Sequence, residues 1–228
     1  MENQSIVMVV SGPSGVGKST VVKEFIRRHP DFKNSVSVTT RPQRPQEIEG
    51  KDYYFKTQEE FMDMLAKGDI LEFDQFDGNY YGTPKPPIQQ AYEQGEHIIF
   101  ELTVKGALSV KKNFPGAISV FLMPPSMHTL YRRLHDRGTQ TAASMVRRMT
   151  RAQNEILSAK QFDFVVRNAE NDLEHSISQL EAIAEAEHLK YRMHVGMEDA
   201  ILADYEEILA AARALGEEEA GSEPDSMA

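Results

Sequence analysis

Ten residues near the start of the chain combine glycines, hydroxyl side chains and one lysine at a spacing that suits phosphate chemistry. The segment SGPSGVGKST, residues 11–20, fits G-x-x-x-x-G-K-[ST] without a gap. Glycines let successive backbone N–H groups turn towards an anion. Lys18 can then reach the outer phosphates, and the Ser19 hydroxyl can coordinate Mg²⁺. The segment therefore predicts a site for a nucleoside triphosphate, with these candidate contacts: Gly12, Ser14, Gly15, Gly17, Lys18, Ser19 and Thr20.

The segments on either side of this loop fit the same interpretation. Residues 6–10, IVMVV, form an apolar, β-branched run that is typical of a buried strand. After the loop, Val21, Val22 and Phe25 recur at helical spacing. A helix that begins near Ser19 adds its positive N-terminal end to the anion site. A glycine-rich turn with an unrelated lysine is the competing interpretation, and the strand and helix make it the less favoured one.

Two arginines on a proline-rich segment could hold a phosphorylated acceptor. Arg41 and Arg44 stand three residues apart around Pro42 and Pro45, and the prolines stiffen the segment. Two guanidinium groups held in this way, with Tyr53 nearby in the sequence, can bind a phosphate through charge-assisted hydrogen bonds. A solvated basic loop is the alternative for this segment taken alone.

A carboxylate before a predicted hairpin is a candidate for base recognition. Glu72 precedes the turn signal DGN at 77–79, which leads into Tyr80, Tyr81 and Thr83. A carboxylate can accept hydrogen bonds from N1–H and the 2-amino group of guanine, whereas adenine has no N1–H. The alternatives are a polar residue on a strand face for Glu72 and simple packing for the tyrosines.

Arginines are concentrated between residues 128 and 151, where six of them accompany a single acid, Asp136. Arg133 and Arg137 share a helix face at i, i+4, and RGTQT at 137–141 interrupts the helix. Arginines on a mobile segment can stabilise the charge that spreads over a transferring phosphoryl group. A solvated helix face is the alternative, and the phosphate loop upstream makes it less favoured for Arg137 and Arg148.

Strands and helices alternate along the chain, which predicts an α/β fold with a mostly parallel sheet flanked by helices. The predicted strands are 6–10, 34–38, 70–76, 97–102, 117–122 and 162–167. The predicted helices are 19–29, 57–66, 84–94, 126–137, 141–159 and 171–191, with one more between 192 and 215. The stretch 39–83 interrupts the alternation and indicates an inserted lobe.

Composition and charge limit the possible classes of protein. The 228 residues contain no cysteine, which excludes a disulfide framework and a thiolate metal site. The longest early apolar run, five residues, is too short for a membrane span or a signal sequence, so a cytoplasmic protein without membrane partners is expected. The net charge is −10, but residues 198–228 contribute −9. The nearly neutral remainder does not support binding of nucleic acid by a basic surface.

Several motifs in order make the sequence resemble the guanylate kinase family, over roughly residues 5–191. They are GPSGVGKST, SVSVTTRPQRP, EGKDYYF, GNYYGT, PPS, RGT and RRMTRAQNE. The resemblance implies a P-loop nucleoside monophosphate kinase fold. Its parts are a domain at 1–191 that contains an NMP-binding lobe (about 37–90) and a helical lid (about 126–155). A helical extension (192–215) and an acidic, disordered tail (216–228) follow.

The same resemblance assigns roles to individual residues and implies ATP, GMP or dGMP, and Mg²⁺ as ligands. The GMP phosphate is assigned to Arg41, Arg44, Tyr53 and Tyr81, and the guanine to Ser37, Glu72, Thr83 and Thr103. The transferring phosphoryl group is assigned to Lys18, Arg137 and Arg148, and further ATP contacts to Arg133 and Asn168. The metal is assigned to Ser19 and, through water, Glu101.

One departure from the family pattern follows the strand at 97–102. Many relatives carry two acids there, as D-x-D, whereas this chain has Glu101 and Thr103 in FELTVKG. The Thr103 hydroxyl can accept a hydrogen bond from a guanine amino group, but a neutral acceptor is weaker than a carboxylate.

The expected activity is transfer of the ATP γ-phosphoryl group to GMP in purine metabolism, by a monomer or a homodimer. One alternative is a non-catalytic guanylate-kinase-like binding module, although Lys18 and Ser19 of the loop are intact. Another is a kinase of a different small phosphate compound, such as a ribosyl phosphate, against which Ser37, Glu72 and Thr83 argue.

Overall fold

The structure, a computed structural model, describes residues 5–76, 78–136, 141–170, 172–190 and 193–221. The strands are β1 (Val7–Ser11), β2 (Phe32–Asn34), β3 (Val38–Thr39), β4 (Tyr54–Phe55), β5 (Ile70–Phe76), β6 (Asn79–Pro84), β7 (His97–Glu101), β8 (Ile118–Met123) and β9 (Phe164–Arg167). The helices are α1 (Lys18–Arg28), α2 (Gln58–Ala66), α3 (Lys85–Glu93), α4 (Val104–Asn113), α5 (Met127–His135), α6 (Ala142–Leu157), α7 (Leu173–His188), α8 (Met197–Ile201) and α9 (Tyr205–Gly221).

A five-stranded parallel sheet of order β2-β7-β1-β8-β9 forms the core, with β1 at its centre. All residues of β1 are buried. Val7 and Val9 belong to an apolar cluster that includes Ile88 of α3 and Val104 of α4. Alternate side chains of a strand point to opposite faces, so the buried Met8 faces the other side of the sheet. The predicted parallel sheet with flanking helices is confirmed.

A second, four-stranded sheet of order β4-β3-β6-β5 lies within the predicted insertion. Strands β5 and β6 form an antiparallel hairpin, and Phe61 of α2 stacks on Tyr80. The predicted strand at 34–38 is wrong as a single element. The backbone of Ser35 still donates to Ile99 in the core sheet, but the chain then leaves it and starts β3 in the small sheet.

Among the described residues up to 188, α4 is the one α-helix that the local sequence pattern does not predict. The β-branched residues Val104 and Val110, together with Gly106, weaken its helix propensity. The fold compensates, because Val104, Ala107 and Val110 are buried and the Thr103 side chain caps the N-terminus by accepting from Gly106 N–H at 3.2 Å.

Helix α6 is also shorter than predicted, since residues 158–161 form a separate 3₁₀ turn.

The C-terminal unit, from residue 189 onwards, contains α8 and α9. Helix α9 continues to Gly221, so the first residues of the segment expected to be disordered are helical. Residues 217–220 are three glutamates and one alanine, which are good helix formers. The rest of that segment, 222–228, lies outside the described residues. Within the described ranges, none of the helices has the length and apolarity needed to cross a bilayer.

Candidate active site

The turn between β1 and α1 forms a loop whose glycines have positive φ angles, which other residues rarely adopt. Gly12 has φ 145° and Gly17 has φ 103°. A Cβ atom on Gly12 would lie 2.5 Å from the carbonyl oxygen of Leu122 in β8. The Lys18 ammonium donates to the Gly12 carbonyl at 2.7 Å and to the Pro13 carbonyl at 3.3 Å. The lysine is therefore held over the loop, where it can contact phosphate oxygens.

Arg133 and Asn168 meet at the backbone of this loop. Both donate to the carbonyl oxygen of Val16, Arg133 Nη1 at 2.9 Å and Asn168 Nδ2 at 2.6 Å. Asn168 is buried, and its Oδ1 accepts from Ser176 at 3.1 Å. The structure thus pairs both ends of the Asn168 amide with protein groups. Arg133 and Asn168, which the resemblance assigns to ATP, therefore contact the backbone of the phosphate-binding loop.

A hydroxyl and a carboxylate meet at the end of the loop. Ser19 Oγ donates to Glu101 Oε1 at 2.7 Å, at the carboxyl end of β7. Hydroxyl and carboxylate oxygens are hard ligands that suit Mg²⁺, so the pair fits the predicted metal site. In the described parts of the chain, no three His, Cys, Asp or Glu side chains cluster closely enough to hold a metal. An ion here would therefore complete its coordination with phosphate and water.

One cavity of about 350 Å³ brings together most of the predicted contacts. The predicted residues that line it are Gly12, Ser14, Gly15, Gly17, Lys18, Ser19, Thr20, Ser37, Arg41, Arg44, Tyr53, Glu72, Tyr81, Glu101, Thr103 and Arg148. Its lining joins the loop after β1 to the small sheet. Arg137 lies outside the described residues.

The arginines of the proline-rich segment differ in their surroundings. The Arg41 guanidinium forms a double ion pair with Glu47, at 2.5 and 2.6 Å, and its Cζ lies 4.9 Å from the centre of the Tyr53 ring. The Arg41 guanidinium lowers the pKa of Glu47. Arg44 is exposed, and its Nη1 atom lies 3.9 Å from Glu47 Oε1. The result is one fixed and one adaptable guanidinium at the predicted phosphate subsite.

Glu72 is the buried carboxylate of the cavity. It accepts from Thr83 Oγ1 at 2.5 Å, and burial raises its pKa to about 7. Thr83 is fully buried behind it. Thr83 therefore positions the carboxylate. The Glu72 Oε2 atom lies beside Gly106 of α4, where a Cβ would come within contact distance of it.

Thr103, which the family resemblance assigns to the guanine, lines the cavity, but its hydroxyl oxygen already accepts from Gly106 N–H. Its capacity to accept a further hydrogen bond from a ligand is therefore reduced.

Arg148 on α6 reaches the phosphate-binding loop, where its Nη1 donates to Ser14 Oγ at 3.0 Å. The same helix contributes two cavity residues that the sequence analysis does not assign to the site, Arg151 and Glu155. Asp74 of β5 also lines the cavity, and Glu47 lies behind Arg41. Their sequence signals are weak: Asp74 stands two residues after Glu72 on one strand, and Glu155 stands four residues after Arg151 on one helix.

The phosphate-binding loop follows the central strand of a parallel sheet and opens on a cavity that holds a buried carboxylate and two arginines, Arg41 and Arg44. This arrangement defines a P-loop kinase of a small phosphorylated acceptor. The family model described as guanylate kinase matches residues 4–187. The chain belongs to the guanylate kinase family.

Individual relatives agree with this assignment. The chain is 40% identical over 190 residues to a guanylate kinase of Oceanobacillus iheyensis, covering 83% of this chain and 91% of the relative. It is 48% identical over 164 residues to one of Gloeobacter violaceus, covering 72% and 80%. A crystal structure of guanylate kinase from Anaplasma phagocytophilum superposes with a TM-score of 0.72 at 29% identity, covering 90% of this chain and 97% of that one.

Proposed function

We propose that this chain transfers the γ-phosphoryl group of ATP to GMP or dGMP, giving ADP and GDP or dGDP, in cytoplasmic purine metabolism. The observation that carries the proposal is the position of Glu72. A buried carboxylate lies in the same cavity as Lys18 of the phosphate-binding loop. Its free oxygen can accept from N1–H of guanine, and adenine would leave this buried acceptor unpaired, which costs about 1–3 kcal/mol.

The remaining residues divide into three tasks. Arg41, Arg44, Tyr53 and Tyr81 hold the GMP phosphate, and Ser37 and Thr103 lie beside the base. The backbone of the loop holds the ATP phosphates. Ser19 and, through water, Glu101 would hold Mg²⁺, which would neutralise charge on the ATP phosphates.

Transfer itself needs positioning rather than a covalent intermediate. A GMP phosphate oxygen forms a bond to the γ-phosphorus while the bond from that phosphorus to the bridging oxygen breaks, and ADP leaves with the bridging oxygen and its electron pair. Negative charge spreads over the transferring phosphoryl oxygens. Lys18, Arg148 and Arg137 supply the positive charge that stabilises it. Exclusion of water from the cavity keeps the γ-phosphoryl group from being hydrolysed.

The test is a coupled assay of ADP formation with ATP, Mg²⁺ and single nucleoside monophosphates. We expect turnover with GMP and dGMP and far slower turnover with AMP, CMP and UMP. Binding of GMP and ATP without turnover would favour the non-catalytic binding module. Turnover with ribosyl phosphates but not with GMP would favour the kinase of another small phosphate.

A further inference from the structure

An ion-pair bridge joins the strand that carries Glu72 to the helix that carries Arg148. Arg151 of α6 donates through Nη2 to Asp74 Oδ2 of β5 at 2.6 Å, and through Nε to Glu155 Oε1 at 2.8 Å. The second Asp74 oxygen, Oδ1, accepts from the backbone N–H of Gln75 at 2.9 Å. The bridge therefore runs from the backbone of β5, through two carboxylates and one guanidinium, to α6.

The bridge is shielded from solvent more than an ordinary surface ion pair. The side chains of Asp74 and Glu155 are 13% and 11% exposed, and that of Arg151 is 31% exposed. Glu155 Oε2 is buried and makes no hydrogen bond within the described structure. A buried oxygen without a partner lowers stability. Such a cost is tolerated at functional sites more often than elsewhere.

The bridge lies where it can control the geometry of phosphoryl transfer. Arg148 and Arg151 stand three residues apart, on one face of α6, and Arg148 donates to Ser14 of the phosphate-binding loop at 3.0 Å. On β5, Glu72 and Asp74 are two residues apart and point to the same side. The acidic side of the strand and the basic side of the helix both line the cavity.

We propose that Asp74 is a positioning residue for phosphoryl transfer, which acts by holding Arg151 and thereby placing Arg148 beside Ser14. The inference rests on the proposed function, because Arg148 matters only if a phosphoryl group is transferred there. In this role Asp74 and Arg151 act through Arg148, without contacting the reacting atoms. A guanidinium that is displaced by about 1 Å loses much of its effect on the transition state, so a residue behind Arg148 can change the rate.

The kinetic test compares Asp74→Ala in two backgrounds, at pH 8, where Glu72 is ionised. With Arg148 present, we expect kcat to fall about tenfold while KM for ATP and for GMP changes less than about threefold. With Arg148→Ala already in place, Asp74→Ala should lower kcat less than about twofold, because changes that act through one group are not additive. The exchange variant Asp74→Arg/Arg151→Asp should recover part of the lost rate.

A control variant breaks an ion pair whose two residues do not line the cavity. Glu174→Ala removes the double ion pair with Arg28, at 2.6 and 2.7 Å, which joins α1 to α7. Its kcat should equal that of the unmodified chain. An equal kcat loss from Asp74→Ala in both backgrounds would overturn the proposal, because Asp74 would then act independently of Arg148. A raised KM for GMP at unchanged kcat would also overturn it and make Asp74 or Arg151 a substrate contact.

A distance measurement that needs no catalysis tests the ion-pair bridge independently of the proposed function. The chain has no cysteine, so spin labels can be attached at Val146→Cys on α6 and Met62→Cys on α2, both exposed. Asp74→Ala should widen the distance distribution between the labels, and Glu174→Ala should not. An unchanged distribution contradicts the bridge. Failure of the unmodified chain to phosphorylate GMP, with a widened distribution, contradicts the proposed function instead.

Discussion

Glu72, the residue that we propose recognises guanine, is a carboxylate buried at a cost in stability. It is 8% exposed, and burial raises its pKa to about 7, because the charged form is poorly solvated there. Thr83 donates to one of its oxygens, which leaves the other for a ligand. The carboxylate is thus held near its ionisation midpoint at neutral pH, and an N–H donor from a base would stabilise the charged form.

The raised pKa of Glu72 predicts a specific pH dependence of folding. The folded state holds the proton more tightly than the unfolded state, where the pKa is near 4.5. The contribution of Glu72 is therefore most favourable below pH 4.5, falls as the pH rises to about 7, and is constant above that. Relative to Glu72→Gln, the unmodified chain should lose up to about 3 kcal/mol between these limits.

Urea unfolding of both proteins at pH 5, 6, 7 and 8 provides the measurement. The comparison with Glu72→Gln removes the contributions of all other titrating groups. A constant stability difference across this range would show that Glu72 has an ordinary pKa.

Lys18 is predicted to act on the transition state more than on substrate binding. Its ammonium lies over the phosphate-binding loop, bonded to the Gly12 and Pro13 carbonyls. Lys18→Ala should lower kcat at least about 100-fold with the fold intact. Lys23→Ala, which removes an exposed lysine of the same helix paired with Asp52, is the control and should leave kcat unchanged. Equal kcat values for the two variants would place the transferred group elsewhere.

At the scale of elements, helix α4 is the part of the site that is hardest to infer from sequence. Thr103 caps the helix, and Gly106 lies against the Glu72 carboxylate. The segment has weak helix propensity and forms a helix because three of its side chains are buried in the core. Long-range packing of this kind decides the conformation of short segments, and it cannot be read from local sequence.

Gly106→Ala is predicted to impair GMP binding although it favours the helix. In a helix interior, alanine is more stable than glycine by about 0.5–1 kcal/mol. Here the new Cβ would lie 2.8 Å from Glu72 Cδ and even closer to Oε2, so the carboxylate must move. We expect KM for GMP to rise about tenfold, with KM for ATP unchanged and a small change in Tm.

The control for this prediction is Gly116→Ala, where a Cβ would meet no atom within 4 Å. Steady-state kinetics of both variants provides the comparison. An unaltered KM for GMP in Gly106→Ala would mean that Glu72 tolerates displacement, and that base recognition does not depend on its present position.

The elements predicted correctly are those with a strong local pattern. Strand β5, predicted and found at 70–76, is bounded by turn signals, and α2 begins with the capping box of Thr57 and Glu60. The strand predicted at 34–38 fails because its two ends belong to different sheets. Ser37 lies in the break and lines the cavity, so the failure coincides with a predicted site residue.

The candidate site was predictable to the extent that it consists of motif residues. Lys18, Arg41 and Glu72 belong to short segments whose residue types have a chemical reason, and the structure places them around one cavity. The ion-pair partners of arginines, such as Glu47 and Asp74, depend on which surfaces meet in the folded chain. Asn168 shows the same limit, because its amide supports the loop backbone from a buried position.

At the scale of the whole molecule, the region matched by the family model and the nearly neutral part of the chain end within about ten residues of each other. The family model ends at residue 187, a compact unit ends at residue 188, and the excess of acids begins at residue 198. The part that carries the cavity is close to neutral, so the net charge of −10 says little about the site.

Removal of residues 216–228 is predicted to leave activity and stability unchanged. The segment contains five acids, no base and no apolar stripe. Its helical part, which ends at Gly221, therefore has little apolar surface to bury against the rest of the chain. We expect kcat within about twofold and Tm within about 1 °C of the full chain. A thermal melt that falls by several degrees would show that the segment packs against the folded chain.

The central claim is that one cavity joins the ATP site to a guanine-specific acceptor site. A single competition reaction tests it most directly: the protein, Mg²⁺ and γ-phosphate-labelled ATP with equal concentrations of GMP, AMP, CMP and UMP, followed by separation of the labelled diphosphates. GDP should carry nearly all of the label in the unmodified chain, and Glu72→Gln should reduce that preference. Label distributed equally between GDP and ADP in the unmodified chain, or found only in free phosphate, would contradict the claim.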